Sequence, residues 1–284
     1  KTALVHPVEP APLRAAIEAA ETGIIEPVLI GPDERLRQAA ADAEVDLGPY
    51  ACVSVPHSHA AAQKGAAMAA SGEVAALIKG ALSADELLTA LLADNARLRT
   101  ERIPCEVMAF DVPTYPRPLL IADPRVNVHP DLFAKRDIVL NAVELAHALQ
   151  VESPRVAMLS SSEAIDPRLT STLHAAAVCK MADRGQIPRA VVDGPMAFDT
   201  AISPATASAR GVVSPVAGQA DVLVAPDLES ASMLVKQLHH LADARGAGLL
   251  LGLRVPVVMS ERDDDVPTRL TGIGLLARLA LAGS

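Results

Sequence analysis

Tryptophan is absent from this chain, and two tyrosines and three phenylalanines make aromatics only 2% of its 284 residues. The core must therefore be built from aliphatic side chains, and half of all residues are apolar. That composition suits parallel sheets, whose strands are buried on both faces and read as aliphatic runs. Cysteine is scarce too: Cys52, Cys105 and Cys179 are odd in number, far apart and without C-x2-C spacing. A disulfide framework and a cysteine zinc site are excluded. Buried free thiols behaving as small hydrophobes, in a reducing cytoplasm, are the expectation. Long hydrophobic runs are missing; a stretch such as 247–253 is strand-length and far short of a membrane span. No signal-peptide pattern opens the chain. Positive charge is in deficit, with 25 Lys and Arg against 34 Asp and Glu, a formal net charge of −9. No general affinity for nucleic acid or anionic membranes is expected. Small anionic ligands stay admissible, because local Arg and Lys can overrule the global sign. A Gly-rich nucleotide fingerprint and a G-x-S-x-G elbow are also lacking.

What the chain does have is regular alternation. Strands are expected at 2–5, 27–30, 51–55, 74–78, 106–112, 119–122, 155–159, 190–192, 222–224, 248–252 and 255–259. Helices are expected at 10–21, 33–43, 60–71, 83–93, 131–149, 169–184, 230–244 and 267–281. In the first helix Leu13, Ala16, Ile17 and Ala20 recur at helical spacing. Ser83 with Glu86 three places on forms a capping box, the hydroxyl accepting from the Glu86 amide while the carboxylate reaches back. Strands alternating with helices imply parallel sheets covered on both faces. The strands on either side of the Pro-rich turn near 113–118 read as an antiparallel pair. The length supports one large or two smaller domains. Gln150-Val151-Glu152-Ser153-Pro154 is the expected boundary.

Several segments can carry chemistry. Ser214-Pro215-Val216-Ala217-Gly218-Gln219-Ala220-Asp221 feeds the strand 222–224, which ends in an acidic turn before a helix. Open α/β sheets place ligands at such strand-to-helix edges, and a helix start offers free N–H groups to an anion. Ser260-Glu261-Arg262-Asp263-Asp264-Asp265 lies between a strand and the last helix. Its Arg can grip phosphate bidentately and a nearby carboxylate can act as general base. The plainer alternative is a solvated acidic turn capping a helix. Ser160, Ser161 and Ser162 end a strand, either as donors to oxyanions or as a polar turn. Lys79-Gly80 closes another strand, either facing a ligand or as a surface Lys. Arg97, Arg99 and Arg102 either meet an anionic group or complement a helix dipole. His57-Ser58-His59 sits at a loop-to-helix junction with no third ligand at a suitable spacing, so no metal is expected.

Further segments accompany these: Glu26-Pro27-Val28-Leu29-Ile30-Gly31, Leu77-Ile78-Lys79-Gly80, Leu98-Arg99-Thr100, Val156-Ala157-Met158-Leu159-Ser160, Lys180-Met181-Ala182-Asp183-Arg184-Gly185-Gln186 and Val192-Asp193-Gly194-Pro195-Met196-Ala197-Phe198-Asp199. In this combination, order and approximate spacing the chain resembles the phosphate acetyl/butyryltransferase family. Any single piece would be a weak signal; together they span nearly the whole length. The resemblance implies an α/β fold of two three-layer αβα domains with mostly parallel sheets and a cleft between them, an isocitrate/isopropylmalate dehydrogenase-like architecture. Domains are then expected at 1–152 and 153–256, with 257–284 returning to the first. It implies an enzyme interconverting short-chain acyl-CoA, acetyl to butyryl, plus phosphate with acyl phosphate plus CoA. CoA is a substrate, no cofactor or metal is implied, and a homodimer or larger assembly is expected. The segment 180–186 and the overall length look closer to butyryltransferase-like members.

By the same resemblance Arg262 matches the catalytic Arg, holding the phosphoryl group, and Asp264 the base toward the CoA thiol. Ser160, Ser214 and Gly218 line the phosphate pocket, and Lys79 and Arg99 face CoA or acyl phosphate. Ser232 stands where the family has Asn, after Ala231 in place of Gly, and Glu261 precedes the Arg in place of Ser. A second carboxylate repels phosphate, the Ala231 Cβ crowds a close backbone approach, and Ser232 lacks the amide's two-donor fork. These departures motivate an alternative, a catalytically impaired CoA-binding or assembly module of the same fold. The resemblance extends to acyltransferase domains fused to an enoyl-CoA-hydratase-like domain, an origin that fits a chain opening at Lys1.

Overall fold

The computed structural model describes residues 1–282. In chain order its elements are β1 (Thr2–Val5), α1 (Pro10–Glu21), β2 (Pro27–Gly31), α2 (Asp33–Ala43), β3 (Ala51–Ser54), α3 (Ser58–Ser71), β4 (Ala76–Lys79) and α4 (Ala84–Leu92). There follow β5 (Cys105–Asp111), β6 (Leu119–Ala122), α5 (Leu132–Ala148), β7 (Arg155–Leu159), α6 (Thr170–Asp183), β8 (Val191–Met196), α7 (Phe198–Ile202) and α8 (Pro204–Ala209). Last come β9 (Val222–Val224), α9 (Leu228–Leu241), β10 (Arg245–Leu251), β11 (Val257–Val258) and α10 (Val266–Ala282).

The chain divides into two compact units, Lys1–Arg102 with Ala247–Ala282, and Ile103–Gly246. The boundaries expected at 152 and 256 therefore shift. The first shifts because β6 pairs with β9 and α5 packs on β6, β9 and α6, which places 103–149 in the second unit. The polar stretch at 150–154 is only the turn between α5 and β7.

In the first unit the strand order is β3-β2-β1-β4-β11-β10. All pairs are parallel except β10 with β11. The crossovers β1→β2 and β3→β4 run in opposite directions along this sheet, so right-handed connections put α1 and α3 on opposite faces. Accordingly α1 packs with α2 and α10, and α3 with α4 and β1. Small residues let α3 approach closely: a Cβ on Gly65 would lie 2.9 Å from a Val5 methyl. β3 is the edge strand and largely exposed, which leaves Cys52 exposed rather than buried. Cys105 is buried and Cys179 half-buried, its thiol pushed up to about 12 by burial.

In the second unit the order is β5-β6-β9-β7-β8, with β5 antiparallel to β6 and the rest parallel. Alternate residues divide the two faces. Leu119, Ile121, Ala157, Leu159 and Leu223 enter a core shared with Met196, Ala201, Val216 and Leu238. β8 runs on to Met196, beyond the expected 192, because pairing continues to Leu159↔Met196 through the cis Gly194-Pro195 bond. The short helices α7 and α8 have no counterpart in the sequence pattern. At five and six residues they are below the length that forms a stable isolated helix, and packing holds them.

Candidate functional site

The sheet of the first unit turns about β1 and β4. β1 leads through α1 to β2 on one side, while β4 has β11 on the other. Ligands of open α/β sheets bind outside the carboxyl ends of strands at such a point. There the chain places His6, Gly80 and the turn after β11. Gly80 is forced by close approach: a Cβ would lie 2.5 Å from the Val5 carbonyl oxygen, and its own N–H donates to that oxygen at 2.9 Å. His6 is buried, with a left-handed φ of 57°, and its Nδ1 has no hydrogen-bond partner among the described residues. Burial, then the nearby Arg35, lowers its pKa. Sequence reasoning missed His6; the available signal was a His-Pro pair directly after a strand.

Lys79 is not the surface residue a strand-end Lys suggests. It is 3% exposed, and its Nζ donates to the Ser260 carbonyl at 2.8 Å. The parallel register of β4 and β11, Val258↔Ile78, brings the two together. Lys79 thus anchors the start of the 260–265 turn. Arg269, on α10 and 3% exposed, holds the same turn from the other end. Its guanidinium donates to the carbonyls of Asp264 at 3.0 Å, Glu261 at 2.7 Å and Arg262 at 3.3 Å. Losing Lys79 would strand a buried carbonyl, so Lys79→Met is expected to cost about 1–3 kcal/mol. Urea unfolding checks this; an unchanged midpoint would refute the anchoring role.

Pinned this way, the turn presents two of the expected groups. Arg262 is largely exposed, and its Nη2 donates to Glu9 Oε1 at 2.8 Å, which holds the guanidinium by the start of α1. Asp264 is half-buried, and its Oδ2 accepts the Glu261 N–H at 2.7 Å. Burial raises the Asp264 pKa, the Glu261 hydrogen bond opposing it. Glu261 itself is exposed.

Arg99 lies elsewhere. It bridges Leu253, beyond the end of β10, and β10 runs antiparallel to β11. Leu253 is therefore at the amino ends of β4 and β11, opposite Lys79 and Arg262. The Arg99 guanidinium donates twice to the Leu92 carbonyl, at 3.1 and 2.8 Å, capping α4. Arg99 does not join the 260–265 cluster. Of the capping box at the other end of α4, Ser83 Oγ accepts the Glu86 N–H at 3.1 Å, while Glu86 Oε1 faces His59 Nδ1 at 2.8 Å.

The second unit has its own switch point. β7 leads through α6 to β8, whereas β9 leads through α9 back past β6 toward Gly246, which abuts Phe110 of β5. Ser160 follows β7; its N–H donates to the Met196 carbonyl and its Oγ lies 2.9 Å from Ser171 Oγ. After β9, Asp227 caps α9 by accepting the Ser230 N–H at 2.8 Å. Ser232 is half-buried on the same helix, whereas Ala231 is fully buried. The Ala231 Cβ thus points into the interior. Ser214 Oγ accepts the N–H groups of Val216 and Ala217 at 3.0 and 3.2 Å, organising its own loop. Gly218 adopts φ 77°, and a Cβ there would lie 2.5 Å from Pro204 Cα. Gly218→Ala is expected to destabilise by at least about 1–3 kcal/mol of backbone strain, read as a lower unfolding temperature. Wild-type stability would mean the loop tolerates another path.

A cation and a half-buried carboxylate at one switch point, and hydroxyl-bearing loops at another, are the parts of an α/β enzyme that handles an anionic substrate. The family model for phosphate acetyl/butaryl transferase matches residues 56–271. The phosphate acetyltransferase of Rhizobium meliloti is 47% identical over 279 residues, covering 98% of this chain and 88% of that protein. The phosphate butyryltransferase of Clostridium acetobutylicum is 35% identical over 268 residues, covering 94% and 89%. The crystal structure of a branched-chain phosphotransacylase from Enterococcus faecalis V583 matches with a TM-score of 0.83 at 24% identity, covering 98% of each chain. The chain belongs to the phosphate acetyl/butyryl transferase family, and it is an acyltransferase.

Proposed function

We propose that this chain exchanges a short acyl group, acetyl to butyryl, between the CoA thiol and inorganic phosphate, with Arg262 and Asp264 at the centre of the reaction. In the forward direction a phosphate oxygen attacks the thioester carbonyl carbon. A C–O bond forms, the C–S bond breaks, and the CoA sulfur leaves with the electron pair. Arg262 holds the phosphoryl oxygens, a task its planar fork suits. Asp264 takes the proton that the attacking phosphate gives up and passes it to the departing sulfur, and in reverse takes it from the thiol and returns it to the leaving phosphate. The observation that carries this reading is the placement of both groups on one turn, fixed by Lys79 and Arg269 at a strand-end switch point. A carboxyl raised by burial is suited to giving and taking protons. Ser160, Ser214, Gly218 and Ser232 are the substrate-binding residues of this reading that lie in the second unit. Neither the fold nor the relatives favour a catalytically impaired module.

CoA is a substrate in this scheme, and no metal or cofactor takes part. The assembly is a dimer or larger, which would cover exposed apolar residues such as Phe133, Ile165 and Leu173 of the second unit. No described helix is long and apolar enough to cross a membrane; the proposed setting is the cytoplasm. The test is release of CoA thiol from acetyl-, propionyl- and butyryl-CoA with and without phosphate. Phosphate-dependent release supports the reading and ranks the acyl chains. No dependence on phosphate would refute it.

A further inference from the structure

Two loops of the second unit, one after β7 and one at 214–218, meet on a single residue that the chemistry above does not use. Thr200, on α7, is fully buried. Its hydroxyl donates to Glu163 Oε1 at 2.6 Å and accepts from Arg210 Nη1 at 2.6 Å. Its carbonyl accepts the Gly218 N–H at 2.7 Å. Glu163 lies three residues beyond Ser160, and its Oε1 also accepts the Ala197 N–H at 3.3 Å and an Arg210 N–H at 3.0 Å. The other arm of Arg210 donates to Asp199 Oδ2 at 2.6 Å. Arg210 directly follows α8, whose first residue, Pro204, is the atom group packed against Gly218. One guanidinium therefore ties the Ser160 loop, through Glu163, to the helix that holds Gly218, through Thr200.

We propose that Arg210, Glu163 and Thr200 are positioning residues that set the spacing between the Ser160 loop and the Gly218 turn, and so set phosphate affinity. The inference rests on the acyl-transfer reading for its consequence, but not for its geometry. The hydrogen bond from Thr200, with Arg210 adding to it, holds the Glu163 carboxyl below its usual range, so the carboxylate keeps its charge through the neutral range. Arg210 is 41% exposed, and exposed ion pairs contribute little to stability. Its loss is expected to loosen the register between the loops without unfolding the unit.

The test compares Arg210→Ala and Arg210→Lys with the wild type. Displacements of about 1 Å at a site cost rate or affinity steeply, so the phosphate KM of Arg210→Ala is expected to rise about tenfold. kcat, acyl-CoA KM and the unfolding midpoint are expected to stay near wild type. Millimolar guanidinium should restore part of the phosphate affinity, and Arg210→Lys should fall in between. An unchanged phosphate KM overturns the proposal, as does an equal rise for both substrates with a lowered midpoint. Amide hydrogen exchange without substrate separates this from the catalytic reading. Faster exchange at Ser160 and Gly218 together in Arg210→Ala supports the coupling whatever the enzyme turns over. Faster exchange confined to the neighbourhood of residue 210 overturns it.

Discussion

Asp264→Asn is expected to cut phosphate-dependent CoA release by about 10²–10⁴-fold, the range for loss of a general acid–base, with CoA affinity little changed. The carboxylate's acceptor role toward the Glu261 N–H survives, because the Asn side chain keeps a carbonyl oxygen. The loss is therefore chemical, not structural. The pH profile carries a second signature. Burial holds the Asp264 carboxyl above its ordinary range, so the base form is lost as pH falls through that raised value. The acid limb of kcat/KM in the thiol-consuming direction is expected above the ordinary aspartate range, and Asp264→Asn should abolish that limb. The sign for stability is opposite. A raised native pKa means the protonated form suits the fold better, so its contribution is present at low pH and is lost as pH rises. Near-wild-type turnover in Asp264→Asn would remove Asp264 from the mechanism.

Arg262→Ala is expected to reduce turnover by about 10²–10³-fold and to weaken phosphate use, as when one preorganised charge-stabilising donor is removed. The side chain is largely exposed and its guanidinium pairs with Glu9 at the surface, so its removal should leave the unfolding midpoint close to wild type. Arg262→Lys should recover only part of the rate, because an ammonium supplies charge without the planar two-point fork. Full activity in Arg262→Lys would show that charge alone suffices and that bidentate geometry is not used. Full activity in Arg262→Ala would contradict the assignment outright.

Much of the fold was legible in the sequence because its local signals agree with one another. The helix 10–21 begins with Pro at its first position and shows a clear apolar stripe, and its observed bounds match. The strands 119–122, 155–159 and 222–224 are short aliphatic runs between turn residues, and they too match. Domain membership was less legible, because it depends on strand pairing. Nothing local to β6 says that it lies beside β9 instead of within the first unit. The helices α7 and α8 escaped notice for the same reason, their order coming from tertiary packing.

The candidate site was legible as a motif, not as a mechanism of support. Ser260 to Asp265 stood out by composition. That Lys79 would be buried against it, and that Arg269 would hold three of its carbonyls, follows from register and helix docking that no spacing reveals. Arg99 has two readings in the sequence because a basic residue near a helix end serves an anion or a carbonyl equally well. Here it serves Leu92. The Glu163–Thr200–Arg210 network joins residues up to 47 positions apart and left no pattern to find.

The most direct measurement is phosphorus NMR of the wild-type enzyme turning over acetyl-CoA with inorganic phosphate, alongside a thiol assay. The expected result is acyl phosphate formed one-for-one with free CoA, and neither product accumulating at a comparable rate with Asp264→Asn or Arg262→Ala. Free CoA released with acetate and no acyl phosphate would make the protein a thioesterase and contradict the account.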